Sequence, residues 1–357
     1  MIARSLELCQ TGLTLLTLDD LDFQYPERLI ATEPASASRV MWVGSSDAPT
    51  EITIRQLLER VRPGDLFVIN DTRVLPRRIV SEEGLEILFL AERSPQIWEV
   101  LCPARRWPSA GLVRLPGGQN LRLIQSGRPQ LVQVEGSLQE SDFEAQGQMP
   151  LPPYIQKARA ERRERAEDRT DYQTAWASRP GSLAAPTASL HFSQDDLEFL
   201  RSRGVQVGVL TLHVGLGTFL PIETQEVQAH KMHAEWAEIP APLVQSLEQR
   251  QRESKSASRV WALGTTVARA LESWAAGRLP KTESGSASGW TDLYITPGHR
   301  FALVDCLLTN FHQPKSTLLA LVGAFAGLER VKSCYAWAVE KEFRLFSYGD
   351  LSVWSRS

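Results

Sequence analysis

The sequence predicts a mixed α/β protein. One large α/β domain, residues 1–74 plus 151–357, is interrupted by a small inserted all-β, barrel-like domain, residues 75–150. Three observations predict this. In the flanking parts, apolar strands run into small polar clusters and then into helical periodicity. From about Leu75 to Met149 the pattern changes to short apolar runs cut by Gly, Pro, Ser and Asn. All six histidines (His191, His213, His230, His233, His299 and His312) lie beyond that stretch, in the second half of the chain.

Taken in order, "GDLFVINDTRVLP" is a strand, Leu66 to Ile69, that ends in the polar turn Asn70-Asp71-Thr72-Arg73. The runs "LEILFLAE", "IWEVLCPA", "GLVRLP", "NLRLIQ" and "PQLVQVEG" then read as short strands of a barrel or sandwich. Pro150, Pro152 and Pro153 in "QGQMPLPPYI" force an extended connector back to the large domain. "SQDDLEFLRSRG" is a helix with Ser193 as N-cap and Gly204 as its stop. "VQVGVLTLHVGLG" is a strand leading into a glycine-rich turn. "ASRVWALGTTVARALESWA" is a buried strand, a Gly-Thr-Thr turn and a helix. "RFALVDCLLTNF" is a strand ending at "TNFHQPKS", beyond which "TLLALVGAFAG" is an almost wholly apolar helix. Pro314 is expected in the first turn of that helix, where its missing N–H is harmless. Residues 156–169 and 281–289 read as mobile.

The global numbers set bounds. A chain of 357 residues with 43% hydrophobic and 23% charged residues is an ordinary globular protein able to bury a sizeable core. The net charge of −3 means that any RNA partner must be held by a local patch. The four cysteines (Cys9, Cys102, Cys306 and Cys334) lie far apart, which argues against a zinc ribbon or a disulfide framework. No run reaches the ~18 apolar residues that a membrane span needs. The first residues meet Asp19, Asp20 and Asp22 too soon for a convincing signal peptide. A cytoplasmic, membrane-free monomer is the expectation.

Four strands thus end in polar clusters: Asn70 to Arg73, His213 to Phe219, Gly264 to Thr266, and Asn310 to Thr317. In α/β sheets ligands collect where strands end and helices begin, so the four predict one shared pocket. Four unrelated turns and caps are the bland alternative. Gly264-Thr265-Thr266 offers N–H groups and hydroxyls for an anion or a ribose, but lacks the lysine of a P-loop. "HVGLGTF" has only two of the three glycines of a dinucleotide fingerprint. "HKMHAEW" spaces His230, His233 and Glu235 in a way that tempts a metal reading, yet it is not H-E-x-x-H, so no metal is assigned. Acid/base work suits these histidines better, with a structural pair as the alternative. The small residues of "GSLAAPTASLHF" let backbone approach a ligand closely, or simply make a tight loop. The basic run Lys157 to Arg169 reads as a solvated helix or an RNA-backbone contact.

Several stretches together resemble one family. They include "DFQYPERLIATEP", "GDLFVINDTRVLPRR", "DYQTAWASRPGSLAAPTASLHF", "HVGLGTFLPI", "HKMHAEW", "ALGTTVARALES", "TDLYITPG", "LLTNFHQPKSTLLALVGAFAG" and "FRLFSYGDLSVW". In this order they are similar to the S-adenosylmethionine:tRNA ribosyltransferase-isomerases of queuosine biosynthesis. The resemblance implies S-adenosylmethionine as ribosyl donor and co-substrate, with no prosthetic group. It implies as acceptor 7-aminomethyl-7-deazaguanine at the wobble position of a tRNA, and as products epoxyqueuosine-tRNA, adenine and methionine. A sulfonium acidifies the neighbouring C5′–H, the leaving adenine gains from protonation, and the attacking amine must be neutral. At least two acid/base groups are therefore needed.

On that basis His213, His233 and Glu235 are candidates for proton transfer, and Asp71 for holding the acceptor amine. Gly215, Gly217, Thr265, Thr266, His312, Lys315 and Ser316 are candidates for the donor, with Lys315 and Ser316 at a helix N-terminus suited to the methionine carboxylate or a phosphate. Arg73, Thr187, His191, Tyr348 and Asp350 are candidates for the tRNA base and backbone. The rival readings are a non-catalytic tRNA-binding protein and a metal-dependent hydrolase built on His230, His233 and Glu235. A methyltransferase is disfavoured by the absence of an early G-x-G-x-G strand-turn.

Overall fold

Strands that read as near-continuous apolar runs belong in a sheet covered on both faces, and the computed structural model has one. It describes residues 16–356 except 46, 109–110, 160–163, 216, 218–221 and 254–257. Cys9, and Thr218 and Phe219 of the second polar cluster, therefore lie outside the described residues. In chain order the strands are β1 (Arg39–Val43), β2 (Thr50–Thr53), β3 (Leu66–Asn70), β4 (Thr72–Val74), β5 (Arg78–Val80), β6 (Glu86–Ser94), β7 (Ile97–Leu101), β8 (Leu112–Arg114), β9 (Asn120–Gln125), β10 (Gln130–Glu135), β11 (Arg179–Ser182), β12 (Gln206–Leu212), β13 (Glu235–Ile239), β14 (Val260–Leu263), β15 (Ala287–Thr291), β16 (Cys306–Asn310) and β17 (Leu351–Ser355).

Nine of them form the large sheet, in the order β15-β13-β12-β3-β14-β16-β17-β1-β2. At its centre β12, β3, β14 and β16 are mutually parallel neighbours. β3, β14 and β16 are buried at every position. On one face Leu66, Val68, Leu210, Leu212, Ala262 and Leu307 meet helices Ala241–Arg252, Thr265–Ala275, Thr317–Ala326 and Leu328–Glu340. On the other, Phe67, Ile69, Trp261, Leu263 and Leu308 meet helices Ile54–Arg60 and Gln194–Ser202. The shorter helices on that face are fixed by side-chain caps: Thr53 accepts from the N–H of Gln56, and Ser193 from that of Asp196.

Strands β5 to β10 make a separate six-stranded antiparallel sheet, in the order β5-β6-β7-β10-β9-β8. Its own core is built on Ile79, Ile87, Phe89, Trp98, Val100, Val132 and Phe143. Glu82 N–H donates to the Arg114 carbonyl at 2.9 Å, tying the segment after β5 to β8 at the far edge. At the base, Arg78 and Gln148 exchange backbone hydrogen bonds of 3.2 and 2.7 Å, so the chain leaves and returns side by side. Strands β4 and β11 pair in parallel as a third, two-stranded sheet.

Three local expectations need correction. Pro314 is not in the first turn of the apolar helix. That helix is Thr317–Ala326, capped by Ser316, whose hydroxyl accepts from the Leu319 N–H. Lys315 has φ +57, a left-handed conformation that a helix cannot contain, so the helix starts after it. Residues 281–289 are not a free loop. Ala287–Thr291 is strand β15, paired along its length with β13, and Thr282, Ser284 and Ser286 bond one another through their hydroxyls. The basic run is not one solvated helix either. Outside 160–163, which the structure does not describe, the Arg159 side chain is 4% exposed and grips Asp168 (1% exposed) through two bonds of 2.8 and 2.9 Å. Among the described residues no helix is long and apolar enough to cross a membrane.

Candidate active site at the carboxyl edge of the sheet

Because β12, β3, β14 and β16 are parallel neighbours, the four polar clusters emerge along one edge of the sheet. Two strand-terminal asparagines organise that edge, both buried. Asn70, at the end of β3, gives its Nδ2 to the Leu212 carbonyl at 3.0 Å and to Thr266 Oγ1 at 3.4 Å. Its Oδ1 accepts from the N–H groups of Leu212 and Thr72. One side chain thereby joins the ends of β3 and β12 to the helix after β14. Asn310, at the end of β16, accepts from Thr187 Oγ1 at 2.8 Å and donates to the Gly349 carbonyl at 3.2 Å and to His191 Nε2 at 3.1 Å.

His213 and Asp71 lie on the outer side of this edge. His213 Nδ1 and Thr72 Oγ1 are 2.8 Å apart, and the His213 ring is half-buried. Burial lowers the pKa of His213 below 6.5 against the opposing pull of Asp71, so the ring is neutral near pH 7. Gly181 makes room for it: a Cβ there would sit 2.8 Å from the ring atoms. Asp71 accepts from Thr211 Oγ1 at 2.6 Å and from Ser178 Oγ at 3.0 Å, so its carboxylate is held in a fixed orientation. Arg73 points away, with its guanidinium 3.7 Å from Glu144.

The loop from 180 to 191 crosses the strand ends. His191 Nδ1 and Ser38 Oγ are 2.6 Å apart, and burial lowers the His191 pKa to about 4. Tyr348 is 3% exposed, and its hydroxyl, like that of Ser189, has no hydrogen-bond partner among the described residues. Buried hydroxyls without partners are uncommon and mark places where a ligand or water is taken up. Asp350 is fully spent on structure, accepting the backbone N–H groups of Arg39 and Arg344 at 3.2 and 2.8 Å.

The remaining candidates lie on the helix-rich side. Glu235 is 3% exposed; it accepts from the Gly215 N–H at 2.9 Å and is ion-paired with the buried Arg269. Burial pulls the Arg269 pKa down to about 10. Gly217 abuts His233, whose Cβ would be 3.5 Å from a Cβ at that glycine. Thr265 opens the helix Thr265–Ala275, behind Gly264 at φ +98. His312 is buried, shares a 2.7 Å hydrogen bond with Thr309, and has its pKa lowered to about 3 by burial. The Lys315 ammonium is bonded to Asp19 at 2.9 Å and Asp22 at 3.2 Å, and the Ser316 hydroxyl donates to the Gln313 carbonyl. An anion bound at Lys315 would compete with two carboxylates already there.

This geometry makes two groupings along the edge: Asn70 and Thr72 tie in Thr266 and His213, with Asp71 held nearby by Thr211, and Asn310 ties in Thr187 and His191. It sets Glu235 apart. His213 donates its N–H to the Trp236 carbonyl, so His213 and Trp236 share a sheet face and Glu235, one residue earlier, points to the opposite one. The Glu235 oxygens are committed to Gly215 and Arg269, and the His230 ring packs edge-to-face on Tyr294 at 5.5 Å. Among the described residues no group of three or more His, Cys, Asp or Glu side chains could hold a metal ion. Sequence reasoning placed Asn70, Thr72 and Asn310 in the polar clusters but gave none of them a role of its own. The available signal was an amide closing each of two otherwise apolar strands, "LFVIN" and "CLLTN". A cavity of about 310 Å3 opens at the other edge of the sheet, lined by Trp42, Arg60, Arg62, Asp65, Arg259 and Trp261. It is remote from this chemistry.

A sheet covered on both faces, with neutral histidines, a fixed carboxylate and hydroxyls unpaired among the described residues at its carboxyl edge, is the architecture of an α/β protein of the kind that binds ligands at strand ends. The family profile described as queuosine biosynthesis protein matches residues 18–353, and the chain belongs to that family. A relative from Halothermothrix orenii, named S-adenosylmethionine:tRNA ribosyltransferase-isomerase, is 38% identical over 350 residues, covering 94% of this chain and 98% of its own. One of the same name from Citrifermentans bemidjiense is 42% identical over 349 residues, covering 93% and 98%. The crystal structure of an S-adenosylmethionine tRNA ribosyltransferase from Thermotoga maritima superposes with a TM-score of 0.52 at 28% identity, covering 94% of this chain and 99% of that one.

Proposed function

We propose that this chain is a tRNA ribosyltransferase-isomerase. It transfers the ribosyl group of S-adenosylmethionine to 7-aminomethyl-7-deazaguanine at the tRNA wobble position and isomerises it, giving epoxyqueuosine-tRNA, adenine and methionine. The observation that carries the reading is the convergence of four polar strand ends on one edge, in a chain whose relatives bear that name over nearly their whole length.

His213 is the base that removes the C5′ proton made acidic by the sulfonium. It is neutral near pH 7, and its Nε2 has no partner among the described residues. Asp71 holds the acceptor's aminomethyl group beside it, with Arg73 ordering the turn toward the tRNA backbone. His233 lies beside Gly217 and protonates the departing adenine. Thr265, Thr266, Gly215 and Gly217 receive the donor's ribose and adenine; Ser316 and His312 line the methionine end, where Lys315 serves only by exchanging Asp19 and Asp22 for the donor carboxylate. Thr187, His191 and Tyr348 face the tRNA base, with Asp350 shaping the turn behind them. Glu235, paired to Arg269, sets the Gly215 turn rather than carrying a proton. The six-stranded unit, residues 75–150, is an inserted barrel-like domain, and the enzyme works in the cytoplasm as a monomer without a prosthetic group.

A hydrolase using His230, His233 and Glu235 is disfavoured because Glu235 is turned to Arg269. Incubation with S-adenosylmethionine and tRNA carrying the aminomethyl base, followed by nucleoside mass spectrometry, tests the proposal. Epoxyqueuosine and free adenine are expected only with the modified tRNA; unchanged nucleosides would refute it.

A further inference from the structure

We infer that Trp236 and Trp290 form a stacking platform for unpaired nucleobases of the tRNA loop, running from the candidate base His213 to the free edge of the sheet. This rests on the proposed tRNA-modifying role and adds the surface that holds the RNA beside the reacting nucleotide.

The platform follows from register. β13 pairs antiparallel with β15, and Trp236 stands directly opposite Trp290. On its other side Trp236 stands opposite His213, joined by the 2.9 Å bond from the His213 N–H to the Trp236 carbonyl. Residues directly opposite one another across antiparallel strands point to the same face. His213, Trp236 and Trp290 therefore make one row across three strands. The intervening positions Glu235, Ala237, Ala287 and Thr291 point the other way, into the core.

Trp290 is 67% exposed, more than any other large apolar side chain described. It meets Trp236 edge-to-face, with ring centroids 5.8 Å apart and planes at 72°. A tryptophan this bare on an edge strand loses hydrophobic free energy for no gain within the fold. Its use lies in what it meets. Nucleobases stack on such rings without regard to sequence, and loop RNA offers them unpaired. Two features favour RNA over a second protein chain. The row is continuous with the candidate catalytic histidine, where the RNA must already be. Its inner end also carries the Arg179 guanidinium, on strand β11 and paired to Glu238 of β13, suited to a phosphate between stacked bases. Arg179 is itself half-exposed, and a phosphate can replace its partly exposed partner Glu238.

The test compares wild-type enzyme, Trp290→Ala and Trp290→Phe for tRNA binding by fluorescence anisotropy and for KM in the adenine-release assay. Trp290 is a surface residue, so the variants fold. Trp290→Ala is expected to weaken tRNA binding and raise its KM about tenfold, while Trp290→Phe keeps most of the affinity. The KM for S-adenosylmethionine should not move. The salt dependence of binding should keep its slope, because no phosphate contact is lost. Trp290→Ala binding tRNA within about twofold of wild type would overturn the inference. So would a change in sedimentation in place of a change in RNA binding, which would mark the patch as a contact between copies. A wild-type enzyme that bound tRNA but released no adenine would refute the ribosyl-transfer reading instead, and the binding comparison would still decide the platform.

Discussion

Asn310 and His191 are 119 residues apart in sequence, and Asn310 Nδ2 lies 3.1 Å from His191 Nε2. The same amide nitrogen donates to the Gly349 carbonyl, and its oxygen accepts from Thr187. The amide orientation is thereby fixed, and His191 Nε2 has to accept. The imidazole proton sits on Nδ1 and is given to Ser38.

That neutral histidine has a pH signature. Its folded pKa is about 4 against an ordinary 6.5, lowered first by burial and then by Arg344. His312 is lowered to about 3 by burial. A histidine held below its unfolded value stabilises the fold above pH 6.5, and that contribution disappears as the pH falls through 6.5 toward 4 for His191 and 3 for His312. Melting temperatures measured across this range should fall less steeply for His312→Gln than for wild type.

Asn310→Ala removes the partner of a carbonyl, a hydroxyl and an imidazole at once. Leaving a buried polar group unpaired costs about 1–3 kcal/mol, so with three groups affected an overall loss of about 3 kcal/mol or more is expected in urea unfolding. Turnover should fall as well, because Thr187 and His191 lose their anchor.

His213→Ala should lower kcat by about 10²–10⁴-fold, the usual range for a positioned general base. Thr72→Ala should lower it less, since it frees the ring without removing it. The acid limb of the wild-type pH–rate profile should lie below 6.5, because burial favours neutral His213 and activity is lost as the ring protonates. Adenine release between about pH 4 and 8 measures both.

Arg269→Met should destabilise the protein by about 3–5 kcal/mol, because it leaves the Glu235 carboxylate buried without its partner. Adding Glu235→Gln should recover most of that loss. Turnover recovering in parallel with stability is expected, and would identify the pair as the support of the Gly215 turn. Stability recovering without turnover would return Glu235 to the chemistry.

The parts of this site that were legible in the sequence are those written in local pattern. The polar ends of four apolar strands could be read directly, because buried parallel strands tolerate polar groups only where they end. Their adjacency could only be expected, since strand order depends on pairing across long separations. The pairing of Glu235 was illegible for the same reason: its partner Arg269 lies on another element, and burial of the pair has no signature in "HKMHAEW". The stretch 281–289 looked loose because Gly and Ser carry little intrinsic preference, whereas its pairing with β13 is a long-range contact. The start of the apolar helix was misplaced by one left-handed residue, Lys315, tied down by Leu21, Asp19 and Asp22 from the other end of the chain.

The clasp between Arg78 and Gln148 holds the two ends of the six-stranded unit side by side. Because both ends leave and return on neighbouring backbones, a longer or shorter loop within the unit need not disturb the strand order of the large sheet.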